Sequence, residues 1–166
     1  MFNIFKKKSR STEVISCVEG ILSPLKDVPD AVFAKGSIGR GVAIKPTSGL
    51  IVSPVDGIIR MIFPTNHAVG IETKEGLEFL IHVGIDTVKL NGEGFRRIAT
   101  EGTTVKAGDN LLEVDFKLLE EKGYPTDTMI ILTNDKSKAD FHEIMQYGKV
   151  VGGSGKVIFT CDIRKG

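Results

Sequence analysis

Tryptophan is absent from this chain, and tyrosine and cysteine each occur only twice in 166 residues. Cys17 and Cys161 stand near opposite ends and form no C-x-x-C pair, so two reduced thiols are expected. No stretch approaches the ~20 apolar residues that a membrane-spanning helix requires. No apolar run follows the basic start and no small-residue cleavage site appears, so a cytoplasmic protein is expected. An excess of one charge is missing as well: 22 Lys and Arg against 21 Asp and Glu leave a net +1. That balance gives no whole-chain attraction to nucleic acid, and the 41% hydrophobic content is too high for a disordered chain.

Glycine, by contrast, occurs 19 times, and short β-branched runs alternate with Gly, Pro, Asn and Asp. Strands are predicted at Val14–Val18, Gly20–Ser23, Gly41–Pro46, Gly49–Ser53, Gly57–Ile62 and Ala68–Glu72. Others are predicted at Glu78–His82, Asn110–Val114, Met129–Leu132 and Lys156–Asp162. Helical periodicity is scarce: one turn at Pro29–Ala34, another at Phe116–Lys122, and a short surface helix at Lys138–Tyr147. The reading is an all-β fold, an antiparallel β-sandwich or barrel-sandwich hybrid with a few short helical turns.

Two units are expected. Residues 1–12 form a flexible basic-aromatic tail, and 13–166 form one domain. In the tail, Phe2, Ile4 and Phe5 precede Lys6, Lys7, Lys8 and Arg10. That pattern permits a weak contact with an anionic membrane surface, worth about 1 kcal/mol per basic residue; the plainer reading is a solvated terminus.

Val52-Ser53-Pro54-Val55-Asp56-Gly57-Ile58-Ile59 and the stretch from Glu101 to Val114 resemble the hammerhead strands of biotinyl and lipoyl carrier domains. Those domains carry their lysine in Met-Lys-Met or Asp-Lys-Ala. Neither tripeptide occurs here, so the likeness supports the architecture and not a swinging arm.

The chain has three histidines: His67, His82 and His142. Period two places Phe79, Ile81, Val83 and Ile85 on one face of a strand. His82 then falls on the other face with Leu80, Gly84 and Asp86, where Gly84 leaves room beside the ring. His67 opens the preceding strand, and the hairpin between them turns at Lys74-Glu75-Gly76. A two-residue turn pairs Thr73 with Gly76 and therefore His67 with His82. A turn one residue longer, with Gly76 left-handed, shifts the pairing by one. In either register the two imidazoles are cross-strand neighbours.

Adjacent imidazoles suit a metal, a base pair or a shared anionic group. Zinc needs a third and fourth ligand, which this chain does not supply in sequence, so no cofactor is required; a zinc shared at an interface through His67 and His82 stays open. Phosphoryl transfer needs one neutral imidazole as nucleophile and a second group to hold the phosphoryl oxygens. Thr65, two residues before His67, offers a hydroxyl to orient that ring. Peptidases of the lysostaphin type need His-x-x-x-Asp and His-x-His. Only His82 with Asp86 has the first spacing, and no His-x-His occurs. His142, among charged neighbours, reads as a solvated surface residue.

Val52 to Gly57, Thr65-Asn66-His67-Ala68 and His82-Val83-Gly84-Ile85-Asp86-Thr87-Val88 together resemble the glucose-type enzyme IIA (EIIA) of the bacterial phosphotransferase system. Asp27-Val28-Pro29-Asp30-Ala31-Val32-Phe33-Ala34, Gly41 to Pro46, Gly92-Glu93-Gly94-Phe95 and the Val105–Asp109 turn extend the likeness from about Val14 onward. The resemblance implies a transferase component that accepts a phosphoryl group from phospho-HPr on Nε2 of His82. His67 would stabilise that group before it passes to a cysteine on the EIIB domain of a sugar permease. It assigns Thr65 and Gly84 to orienting the rings, Asp86 to the site edge, and Leu80, Val83 and Val88 to a shallow docking face. Val83 replaces the family's usual aromatic, and is expected as a smaller rim residue. With no fused IIB or IIC segment, the chain is expected to serve separate permeases. The alternative is a regulatory binding protein, whose phosphorylation state at His82 controls partner proteins.

Overall fold

Alternating β-branched runs, separated by turn residues, become three antiparallel sheets in a computed structural model that describes residues 11–134, 139–143, 145–151 and 155–164. The strands are β1 (Ser11–Ile15), β2 (Gly20–Pro24), β3 (Arg40–Pro46), β4 (Leu50–Val52), β5 (Gly57–Ile62), β6 (Ala68–Glu72) and β7 (Glu78–Val83). They continue as β8 (Phe95–Arg97), β9 (Thr104–Val105), β10 (Asn110–Val114), β11 (Thr128–Leu132), β12 (Ala139–Glu143), β13 (Val150–Val151) and β14 (Val157–Ile163). Two short helices interrupt them, α1 (Ala31–Ala34) and α2 (Phe116–Glu121), with 3-10 turns at Leu25–Asp27 and Thr87–Leu90. None of the described helices is long and apolar enough to cross a membrane.

The large sheet runs β13-β2-β3-β11-β7-β6-β5-β9, and the small ones run β4-β10-β8 and β1-β14-β12. One face of the large sheet supplies Val42, Ile44, Val69, Ile71, Phe79, Ile81 and Ile130 to the main core, where they meet Ile51, Leu112, Ile158 and Phe159 from the small sheets. The opposite face carries a second cluster of Ala43, Met129 and Ile131, closed by Leu25 and Val28 and by Phe33 from α1. This is an antiparallel β-sandwich, and its second face is the one that positions the histidines.

Several expectations need correction. The segment read as a helix over Lys138–Tyr147 contains β12, which pairs with β14 through Phe141 opposite Cys161 and His142 opposite Thr160. Its burial is period two, with Ala139 and Phe141 inside and Asp140 and His142 outside. Lys138 and Ile144 lie outside the described residues, as do residues 1–10 of the expected tail. The strand read at Val14–Val18 starts and ends earlier. Ser16 turns the chain by donating its hydroxyl to the Val18 carbonyl at 2.6 Å, a local bond that competes with the ladder.

Candidate functional site

The β6–β7 hairpin adopts the longer turn. Thr73 N–H donates to the Leu77 carbonyl at 2.8 Å, Gly76 is left-handed at φ 88°, and Ala68, not His67, stands opposite His82. His67 lies one residue outside the strand, just after Asn66, whose φ is 60°. Its side chain is therefore not bound to the pleat's alternation. The two rings meet edge to face with centroids 5.1 Å apart.

His82 shares its face with Leu80 and, across β11, with Met129. Its Nδ1 lies 2.9 Å from the Gly84 carbonyl oxygen. A carbonyl only accepts, so Nδ1 carries the hydrogen and Nε2 keeps its lone pair. Gly84 sits at φ 75°, and its N–H donates to the Asp127 carbonyl at 3.0 Å. A side chain there would meet the Thr87 methyl at 2.5 Å and the Pro125 carbonyl at 3.1 Å. The left-handed step also breaks the alternation. Ile85, expected beside Phe79 and Ile81, instead joins the second cluster with Leu80.

His67 is held from the other side by the Thr65 hydroxyl, 2.5 Å from its Nδ1, and by the Phe63 ring at 5.3 Å. It is only 4% exposed, whereas His82 is half-buried. Burial pushes the His67 ring below the usual imidazole range. For His82, burial first and the neighbouring His67 second push it down to about 4, against a weaker opposite pull from the Gly84 carbonyl and the Asp30 and Asp86 carboxylates. Both rings are neutral at pH 7.

Asp86 is exposed, in a left-handed conformation at φ 60°. Val88, in the Thr87–Leu90 turn, is 49% exposed and reaches solvent. Val83 does not: it is fully buried in the main core, because the residue after His82 points to the opposite side of β7. The expected rim role for Val83 is therefore withdrawn. His142 is exposed and pairs with Asp162 at 3.0 Å, away from the site residues in sequence and sheet.

Phe33 was missed as a site residue. Its ring lies 4.8 Å from the His82 ring, carried there by α1, whose first turn is capped by the Asp30 carboxylate accepting from Val32 and Phe33 N–H. The sequence marked this segment as a helical turn and as part of the family likeness, but nothing in it placed Phe33 beside His82. Among the described residues no cluster of three His, Cys, Asp or Glu could hold a metal ion, so two imidazoles alone do not complete a zinc site.

The fold and this pair of neutral, differently buried imidazoles on one sandwich face define a protein of the EIIA class. The family model described as phosphoenolpyruvate-dependent sugar phosphotransferase system, EIIA 1, matches residues 12–138, and the chain belongs to that family. It is 43% identical over 158 residues to a glucose-specific EIIA component of Haemophilus influenzae, covering 95% of this chain and 94% of that one. A Staphylococcus carnosus protein named a glucose-specific EIICBA component is 41% identical over 147 residues, 89% of this chain and 21% of that protein. The solved glucose permease IIA from Mycoplasma capricolum superposes with a TM-score of 0.84 at 38% identity, covering 94% of this chain and 97% of that one.

Proposed function

We propose that this chain is the phosphocarrier of a glucose-type sugar phosphotransferase system, accepting from phospho-HPr on His82 and delivering to a cysteine of a permease EIIB domain. The observation that carries this reading is the Nδ1 of His82 bound to the Gly84 carbonyl, which leaves Nε2 as a neutral nucleophile on the accessible ring. The relatives named as glucose-specific components support the sugar class, and the EIICBA relative supports an EIIB recipient.

In the acceptance step the Nε2 lone pair attacks phosphorus while the donor's P–N bond breaks, its electron pair returning to the donor imidazole. The hydrogen stays on Nδ1, donated to the Gly84 carbonyl, which stabilises the positive ring that forms. In delivery a cysteine thiolate attacks phosphorus and the P–Nε2 bond breaks, restoring neutral His82. Thr65, by donating to Nδ1 of His67, leaves Nε2–H of His67 to hold a phosphoryl oxygen. Val88, Leu80 and Phe33 form the apolar ground on which both partners dock, with Asp86 at its edge. The protein works in the cytoplasm, as a domain preceded by its basic-aromatic tail.

The test is a reconstituted system of phosphoenolpyruvate, enzyme I and HPr, read by the mass and acid lability of the adduct. One acid-labile phosphate is expected on the wild type and none on His82→Ala. His67→Gln should still accept but pass the group on about 100-fold more slowly. No adduct on the wild type, under conditions that phosphorylate HPr, refutes the reading.

A further inference from the structure

The segment after Gly94 has no part in the chemistry above, yet it reaches the turn that carries His67. That turn runs from the end of β5 at Ile62 through Phe63, Pro64, Thr65 and Asn66. It is closed by Asn66 N–H donating to the Phe63 carbonyl at 2.7 Å. Asn66 holds a left-handed conformation at φ 60°, which asparagine tolerates better than most residues because its short polar side chain finds local hydrogen bonds. Arg97, on β8, grips both ends of this turn. Its Nε donates to Asn66 Oδ1 at 2.9 Å, and its Nη2 approaches the carbonyl oxygens of Phe63 at 3.3 Å and Ile62 at 3.4 Å. Four residues on, the Glu101 carboxylate accepts from Ile62 N–H at 2.7 Å, fixing the strand end from which the turn departs.

A planar guanidinium with several donors in a fixed fork can hold an amide oxygen and two carbonyls at once, which the point charge of a lysine cannot. His67 is the next residue after Asn66, so a small rotation at Asn66 would swing the imidazole away from the His82 ring. Resting on the phosphocarrier reading, we propose that Arg97 is a positioning residue for His67, acting through Asn66 and the Phe63–Asn66 turn. It touches neither imidazole in the contacts above. Its effect falls on the step that depends on His67, with acceptance on His82 left nearly intact.

The experiment follows two readouts in wild type, Arg97→Gln, Arg97→Lys, Asn66→Gly and the Arg97→Gln/Asn66→Gly double variant. One is the nitrogen chemical shifts of the His67 ring by NMR, which need no partner. The other is the separate rates of acceptance from phospho-HPr and delivery to an EIIB domain. Arg97→Gln is expected to move the His67 ring signals and to slow delivery by about 10-fold more than acceptance. Arg97→Lys should restore little, and the double variant should be no worse than Arg97→Gln alone, because Arg97→Gln already breaks the Arg97–Asn66 contact that Asn66→Gly removes. Unchanged His67 signals in Arg97→Gln, or equal slowing of both steps, overturns the proposal. A wild type that accepts no phosphate refutes the phosphocarrier reading instead, while the ring signals still decide the role of Arg97.

Discussion

At the scale of single residues, the two imidazoles differ in what holds them more than in their chemistry. His82 is tied by its Nδ1 to a backbone carbonyl, and His67 by its Nδ1 to the Thr65 hydroxyl. Burial keeps both below the ordinary imidazole range. Because His82 is lowered from 6.5 to about 4, the unfolded chain binds more protons than the folded one between those values. The stability that follows is present in full above pH 6.5 and is lost as pH falls through about 4. The shift corresponds to about 3 kcal/mol when complete. His67, Asp30 and Asp86 all act on the ring, so the slope reports the whole cluster. Urea unfolding at pH 7 and at pH 4 should show a smaller acid loss for His82→Gln than for the wild type; an identical loss in both would contradict the low value for His82.

At the scale of elements, the decisive feature is the left-handed step at Gly84 between β7 and the Thr87–Leu90 turn. The Thr87 hydroxyl donates to the Val83 carbonyl at 2.5 Å and its side chain is fully buried. Its methyl therefore cannot retreat from a new Cβ at position 84. Gly84→Ala should cost about 1–3 kcal/mol of folding stability, and Gly84→Ala/Thr87→Ser should cost less than the sum of its parts, since Ser removes the methyl and keeps the hydroxyl. Additive losses in a urea titration would show that backbone strain, not the methyl contact, sets the penalty.

Much at this scale was legible in the sequence. The β6–β7 hairpin, the closeness of its two histidines and the face of His82 follow from period two and from the Lys74-Glu75-Gly76 turn, whereas the position of His67 just outside β6 does not. The register was not, because one extra turn residue depends on whether Gly76 turns left-handed. Ile85 was misplaced because alternation was carried through Gly84. β12 was misread because Phe141, His142 and Met145 also fit a helical spacing, and only its partner β14 selects the strand. The two-residue strands β9 and β13 carry no period of their own and exist through β5 and β2. Arg97 was invisible for a related reason: its partners lie 31 to 35 residues earlier in the chain.

At the scale of the whole molecule, the sandwich uses the two faces of its large sheet differently. One face makes the main core against both small sheets. The other carries a smaller cluster under α1, with the His82 ring at its margin beside Phe33. The His82 ring thus stands at the edge of a sheet face, half-buried, with Phe33 and Leu80 among its apolar neighbours.

The central claim is that the Gly84 carbonyl selects which nitrogen of His82 reacts. Nitrogen-15 and phosphorus-31 NMR of the phosphorylated protein, with labelled histidine, tests it directly. Phosphorus coupled to Nε2 of His82, with Nδ1 still carrying its hydrogen, is the predicted result. Phosphorus on Nδ1 of His82, or on His67, would contradict the account.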